Sequence, residues 1–393
     1  DAAGNTGATD TSANTGSVTV DLTAPLVGIG TVAGDGYINE DEAASFTITG
    51  TASGADGQTV TVTYGGATET ATVSSGAWTM TMCNDEVCSH SAGLSAVTAN
   101  VNDATGNSAT QATVNAWYDV TDPTTTVTIN SYADDTGSSS TDWITNDNSA
   151  VVDADLSAVL ASDETLEISV NGGTTWSDVA SGDISGTDVT PTITLGAGTS
   201  SVKFRVSDAA SNTAAVATQA YTLDTTAPTI TPVTMSSNNA VSTLTKDGNT
   251  VTITLTANEE IQTPTCDVEV PDNTDATNVE TIENTNGNVW TCAVILHDSD
   301  GDGAIVFSIV TTDIAGNPTT ITATTDGTAV THDDTVPTLS TVTIASDNAV
   351  TTLSKDDDTI TLTIVSSENI GTPTCDMEFT AGNDATLAET ISG

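Results

Sequence analysis

The chain is almost without positive charge. Lys and Arg together number 4 among 393 residues, against 53 Asp plus Glu, for a formal net charge of −49. Phosphate backbones are bound by basic faces, so nucleic acid is excluded as a partner, and an anionic membrane surface with it. No apolar run approaches the roughly 18 residues of a spanning helix, so this segment is expected to make no direct membrane insertion. Helical patterning is missing as well: no stretch carries an apolar stripe at i, i+3, i+4. Aromatic residues make up only 4%, which makes thin cores that gain from a metal or a disulfide. Catalytic signatures are also wanting. There is no Gly-x-Ser-x-Gly, no phosphate loop, and His90, His297 and His332 stand isolated. Glu259 and Glu260 are adjacent, so on a strand they point to opposite faces and do not make a glycosidase pair. The chain is not expected to be an enzyme.

What is present is a repeated phrase. It reads Asp1-Ala-Ala-Gly-Asn5, Asp103-Ala-Thr-Gly-Asn107, Asp208-Ala-Ala-Ser-Asn212 and Asp313-Ile-Ala-Gly-Asn317. Each is followed by an Asp-bearing linker that ends in proline: Asp21-Leu-Thr-Ala-Pro25, Asp119-Val-Thr-Asp-Pro123, Asp224-Thr-Thr-Ala-Pro228 and Asp334-Thr-Val-Pro337. A period near 100 residues with turn chemistry at fixed places is a tandem array. The spacing predicts the last strands of a domain over 1–22, whole domains over 23–120, 121–226 and 227–335, and the first half of another over 336–393. The third and fourth align without a gap at an offset of 109, matching Val241 with Val350, Glu259 with Glu368 and Cys266 with Cys375.

Between the acids lie short alternations such as Thr59-Val-Thr-Val-Thr63 and Thr250-Val-Thr-Ile-Thr-Leu-Thr256. Period two in β-branched residues reads as half-buried antiparallel strand. Seven or so such strands per repeat, with frequent Gly, Asn and Asp turns, predict an all-β chain of immunoglobulin-like sandwiches forming an elongated rod. Trp78 and Trp117, Trp143 and Trp176, and Trp290 are the candidate core aromatics. Cys266 shares a strand face with Val268, and Cys292 with Trp290 and Val294, so the two inward thiols suit an inter-sheet disulfide. Cys83 and Cys88 flank a short turn and form a second candidate pair, and Cys375 has its expected partner beyond residue 393. A zinc site is the rival reading, but the scattered histidines do not supply paired ligands. Disulfides imply an oxidising, extracellular or cell-surface setting.

Asp35-Gly-Tyr-Ile-Asn-Glu-Asp-Glu42, Ile48-Thr-Gly-Thr51, the Asp-x-x-Gly-Asn loops and the Asp224-Thr-Thr-Ala-Pro228 linker resemble the bacterial Ig-like repeats of giant surface adhesins, the extender region of the RTX type. Ser237-Asn-Asn-Ala-Val241 and Ala257-Asn-Glu259 resemble a sister subtype. The resemblance covers the whole chain. It implies a rigid rod, often with Ca2+ at the domain junctions.

The acids give that expectation a chemistry of their own, since Ca2+ takes 6 to 8 oxygens from carboxylates, carbonyls and water. If the loop before the last strand lies where the next domain begins, four ligand sets follow. They are Asp1, Asp21, Asp35 and Glu42; then Asp103, Asp119, Asp122, Asp142 and Asp147; then Asp208, Asp224 and Glu259; and finally Asp313, Asp333, Asp334 and Glu368. The competing reading is local: an Asp that opens such a loop hydrogen-bonds its own backbone, and linker acids are solvated charge. Asp298, Asp300 and Asp302 open like an EF-hand, but the twelfth position is Ile309, so an EF-hand is excluded and a surface Ca2+ site and a plain turn remain. The expected function is a calcium-stiffened stalk of a large secreted or surface-anchored prokaryotic protein. Its partners would be calcium ions, neighbouring repeats or further copies of itself. The alternatives are a subunit segment of an S-layer, sheath or filament, and a spacer attached to a secreted enzyme. A halophile's solvated acidic surface is a further reading of the charge.

Overall fold

A computed structural model of the chain describes residues 19–82, 91–269, 279–297, 300–355, 357–377 and 390–392. It divides into two compact units, Asp1–Thr225 and Thr226–Gly393. Among the described residues the only helical turn is a 3-10 turn at Ser181–Asp183; every other regular element is a strand.

The first unit holds two separate cores. Around the first run β1 (Leu26–Val32), β2 (Tyr37–Ile38), β3 (Phe46–Ser53), β4 (Thr59–Tyr64), β5 (Ala67–Thr72), β6 (Ala77–Met82), β7 (Gly93–Val101) and β8 (Ala112–Tyr118). One sheet has the order β1-β3-β6 and the other β2-β8-β7-β4-β5, an immunoglobulin-like sandwich. The pairing is antiparallel except for β2 with β8, which is parallel. Alternation decides which residues face inward. In β6 Trp78, Met80 and Met82 are buried while Ala77, Thr79 and Thr81 are exposed. Gly65 and Gly66 close the β4–β5 hairpin with φ of 56° and 88°, the mirror-image turn that matches strand twist and that few side chains tolerate.

The second core lies between two sheets of the same kind. One runs Ile144–Thr145, Ala217–Leu223, Gly198–Ser207, Thr165–Ser169, Ser177–Asp178. In the other, Ser149–Leu156 pairs with Val127–Tyr132, Asp188–Val189 and Thr192–Thr194. Trp143 is buried with a φ of +62°, unusual for a bulky side chain. It is held there on both sides: its N–H donates to Asp135 Oδ2 at 2.9 Å and its carbonyl accepts from Thr222 at 2.8 Å. Its ring packs on Tyr132, centroids 5.5 Å apart.

Two tryptophans expected in cores lie outside them. Ala116 faces inward on β8, so by parity its neighbour Trp117 faces out and is 45% exposed. Trp176 is stacked by Arg205, whose guanidinium carbon sits 4.3 Å from the ring centroid and which also grips Glu167 through two hydrogen bonds.

In the second unit a four-stranded sheet runs Ile230–Ser237, Thr250–Ala257, Val289–Ile295, Thr281–Asn286. It faces the sheet Thr265–Glu269, Val306–Thr312, Pro318–Ile321 across a third core. Cys266 on one sheet and Cys292 on the other are joined by a disulfide, Cα atoms 6.5 Å apart. Cys375 is a free thiol. Cys83 and Cys88 lie outside the described residues. Beyond the third core Leu339–Ser346 pairs with Ile360–Ser366, in the register of the equivalent pair one repeat earlier.

Candidate metal centres at the domain ends

The recurrent Asp loops sit between the last two long strands of each domain. Asp103 is buried, and its Oδ1 accepts from the N–H groups of Thr105 and Asn107 at 2.8 and 2.9 Å and from Thr105 Oγ1 at 2.8 Å. Its Oδ2 accepts from Asn107 Nδ2 at 2.8 Å. The pattern repeats at Asp208, with Ala210 N, Asn212 N and Asn212 Nδ2 at 2.8 to 2.9 Å, and at Asp313, with Gly316 N, Asn317 N and Asn317 Nδ2 at 2.7 to 2.8 Å. The loop is thus folded by its own carboxylate, the local role that an Asp in this position has without any ion.

Where these loops lie corrects the expected ligand sets. In the first domain Gly93 pairs with Tyr118 at one end of the β7–β8 ladder, while Asp103 lies past its other end, beyond the Ala99–Ala112 pair. Asp103 and Asp119 are therefore roughly 30 Å apart, about the length of a nine-residue strand. In the second domain Gly198 pairs with Leu223, so Asp208 and Asp224 also lie at opposite strand ends. In the third, Gly303 pairs with His332 while Thr312 pairs with Pro318, which places Asp333 and Asp334 away from Asp313. The loop belongs to the end through which its own domain is entered. Asn107 Nδ2 donates to the carbonyl of Asp21 at 3.1 Å, and Asn212 Nδ2 to that of Asp119 at 3.0 Å.

The acids regroup accordingly. Asp35 and Glu42 share a loop at the exit end of the first domain, beside Asp119, whose N–H donates to Ile38 at 3.0 Å, and not beside Asp21. That loop touches the second domain: Asn39 Nδ2 donates to the carbonyl of Ala210 at 3.0 Å, and the Glu40 N–H to Asn212 Oδ1 at 3.1 Å. Asn39, Glu40, Asn107 and Asn212 were not singled out from sequence, although two of them close the recurrent phrase. Asp142 and Asp147 cap Ile144 and Ser149 at the exit end of the second domain, where the Asp224 N–H donates to Thr145. Asp122 is an exposed linker residue. Among the described residues of the first unit no three carboxylates converge within 4.8 Å.

In the second unit Glu259 and the buried Asp313 bring carboxylate oxygens within 4.8 Å of each other. Asp302 acts as a tie at the exit end. Its Oδ1 accepts from the Asp334 N–H at 2.7 Å and its Oδ2 from Thr335 Oγ1, and these donors hold its carboxyl below the usual range. Asp300 is buried and accepts from the His297 N–H, and Asp333 accepts from the Thr335 N–H. Glu368 follows Ile360–Ser366, its carbonyl bonded by Ser366 Oγ. Asp1 and Asp298 lie outside the described residues.

Two carboxyls are displaced in opposite directions. Burial pushes Glu42 up, against a hydrogen bond from Asn39 and with the charges of Asp35 and Asp41 adding to the rise. Burial would push Asp103 up too, but the donors of Asn107 and Thr105 together outweigh it and hold it at about 2, below the ordinary 3.8. A depressed folded-state pKa contributes stability that is whole above the unfolded value and is lost as pH falls through the folded one. Melts between pH 6 and about 2 in EDTA are therefore expected to show the first domain weakening below about pH 4, and Asp103→Asn to flatten that portion of the curve. An unaltered acid limb in the variant would remove Asp103 from the account.

No protein-family model matches the chain, and no curated protein does. Among solved structures it is similar to a chain of a 1.5-MDa bacterial ice-binding adhesin, at 20% identity and a TM-score of 0.33, over 79% of this chain and 98% of that one. It is similar also to a tetra-tandem repeat in the extending region of a large adhesion protein, at 17% identity and a TM-score of 0.26, over 87% and 88%. A third likeness is to the titin fragment I67–I69, at 9% identity and a TM-score of 0.29, over 80% and 100%.

Proposed function

We propose that the chain is a structural extension segment of a large secreted or surface-anchored prokaryotic protein of the adhesin type, and that Ca2+ stiffens its domain junctions. One observation carries this reading. The terminal Asn of the recurrent loop is spent on the linker that enters its domain, at Asn107 with Asp21 and again at Asn212 with Asp119. At the second of these the preceding domain joins in through Asn39 and Glu40. A side chain that fixes the linker in the same way at two successive periods is what a spacer requires and what a flexible string of beads lacks. The disulfide fits an oxidising compartment. The segment has no catalytic role in this reading.

Calcium acts here by neutralisation. At a net charge of −49, the acidic domain ends repel one another. An ion bridging carboxylates such as Glu259 and Asp313 removes that repulsion at the point where linker angles are set. In a calorimetric melt of the full chain at matched ionic strength, millimolar Ca2+ is expected to raise the transitions relative to EDTA, by about 2.7 kcal/mol at a hundredfold excess over Kd. An equal rise with NaCl alone would mean screening of diffuse charge and would sink the calcium mechanism.

A further inference from the structure

The third domain carries a cavity of about 530 Å3 whose walls include Glu260, Ile261, Gln262, Asn284, Asn288 and Trp290. Asn284 and Trp290 are register partners on neighbouring strands, so their side chains share a face. The opposite wall is the 260–263 loop. It is pinned by Gln262, whose N–H donates to Thr312 at 2.8 Å and whose Nε2 donates to the Asp313 carbonyl at 2.7 Å. Asn284 Nδ2 donates to Gly287 at 2.7 Å. Both amides are thus oriented by their N–H groups and keep their oxygens as acceptors.

The first domain provides an internal comparison for Trp290. Trp78 is likewise the second residue of its strand, and it lies opposite Gly50. The empty space over Gly50 lets the indole lie along β3 and donate to the Thr51 carbonyl at 3.2 Å. Trp290 lies opposite Leu255, which fills that space. Its Nε1 is left buried with no acceptor, in a residue only 9% exposed that borders the cavity. Buried indole donors normally find a partner.

We propose that this cavity binds a neutral sugar ring. The edges of Trp290 and Ile261 that reach the cavity give the ring a small apolar contact. Amide oxygens and a carboxylate accept from its hydroxyls, and a ligand oxygen supplies the acceptor that Trp290 lacks once the indole turns toward the cavity. The walls hold no Lys or Arg, and Glu260 together with the acidic chain repels anions, so the ligand is neutral and not a uronic acid or a sulfated sugar. The inference stands apart from the calcium-stiffened stalk and does not need it.

Saturation-transfer NMR on the full chain with the methyl pyranosides of glucose, galactose and mannose tests it, with methyl glucuronide as the anionic probe. At least one neutral glycoside is expected to bind with a Kd of about 1 mM, and the glucuronide about tenfold more weakly or not at all. Asn284→Ala, at an exposed hairpin position, is expected to weaken binding about fivefold for the lost hydrogen bond, with an unchanged melt. Glu260→Gln tests the second contact where the first variant proves unstable. Silence from all three neutral probes, preference for the glucuronide, or unchanged binding in both variants would overturn the proposal.

Discussion

Gly50→Ala is expected to destabilise the first domain by about 3 kcal/mol, at the upper end of what overpacking costs. A Cβ on Gly50 would stand 2.2 Å from Trp78 Cζ2 and 2.3 Å from the Gly28 carbonyl oxygen. The ring has nowhere to go, because Trp78 is 2% exposed and its indole is tied to Thr51. The Gly28 oxygen is backbone in the β1–β3 ladder, where Gly28 pairs with Thr51 and Ile29 with Gly50, so it moves only if the ladder shifts. At about 4–8 °C per kcal/mol for a domain of this size, the first transition of a calorimetric scan should fall by about 15 °C, with the others in place. A loss below about 1 kcal/mol would show that sheet and ring relax freely and that the close fit is not what orders this core.

The second large effect is at the disulfide. Cys266 and Cys292 are 26 residues apart, and the loop-closure relation gives about 3.5 kcal/mol for a bridge of that span. The double variant Cys266→Ala, Cys292→Ala is expected to lower only the third domain's transition. The first and second cores contain neither cysteine and share no residue with the third. Alanine is preferred to serine because Cys292 is 2% exposed and a hydroxyl there would be buried without an assured partner. Equal shifts in all transitions, or none, would contradict an independent, bridge-dependent third core.

Much of the fold was legible because strand parity is written locally. Thr250-Val-Thr-Ile-Thr-Leu-Thr256 buries Val251, Ile253 and Leu255 and turns its threonines outward. The same parity set Cys266 and Cys292 facing each other across the sandwich. Where parity was ignored the expectation failed, as with Trp117 beside the buried Ala116. The Asp loops were legible as turns, because an Asp and an Asn four residues apart carry their own hydrogen-bonding instructions. Their location was not. Which end of a sandwich a loop occupies depends on how many times the chain has crossed the domain, a property of topology that no single loop records. Asp35 and Glu42 were consequently assigned to Asp21 although they neighbour Asp119. Trp143 at φ +62° was invisible for a related reason: it is held by Asp135 across a loop and by Thr222, which is distant in sequence.

The short parallel pairing recurs in every complete domain: Tyr37–Ile38 with Trp117–Tyr118, Ile144–Thr145 with Thr222–Leu223, and Leu244–Thr245 with Thr331–His332. In each case it joins a segment near the start of the domain to the last strand before the exit. A pull applied through the two termini drags such strands past each other along their length. Their hydrogen bonds are then loaded side by side in shear and must fail together, not one after another as in a peeled hairpin. Two residues of parallel sheet at each exit thus act as a tear-stop, and a tether built from these domains would resist tension at many identical points.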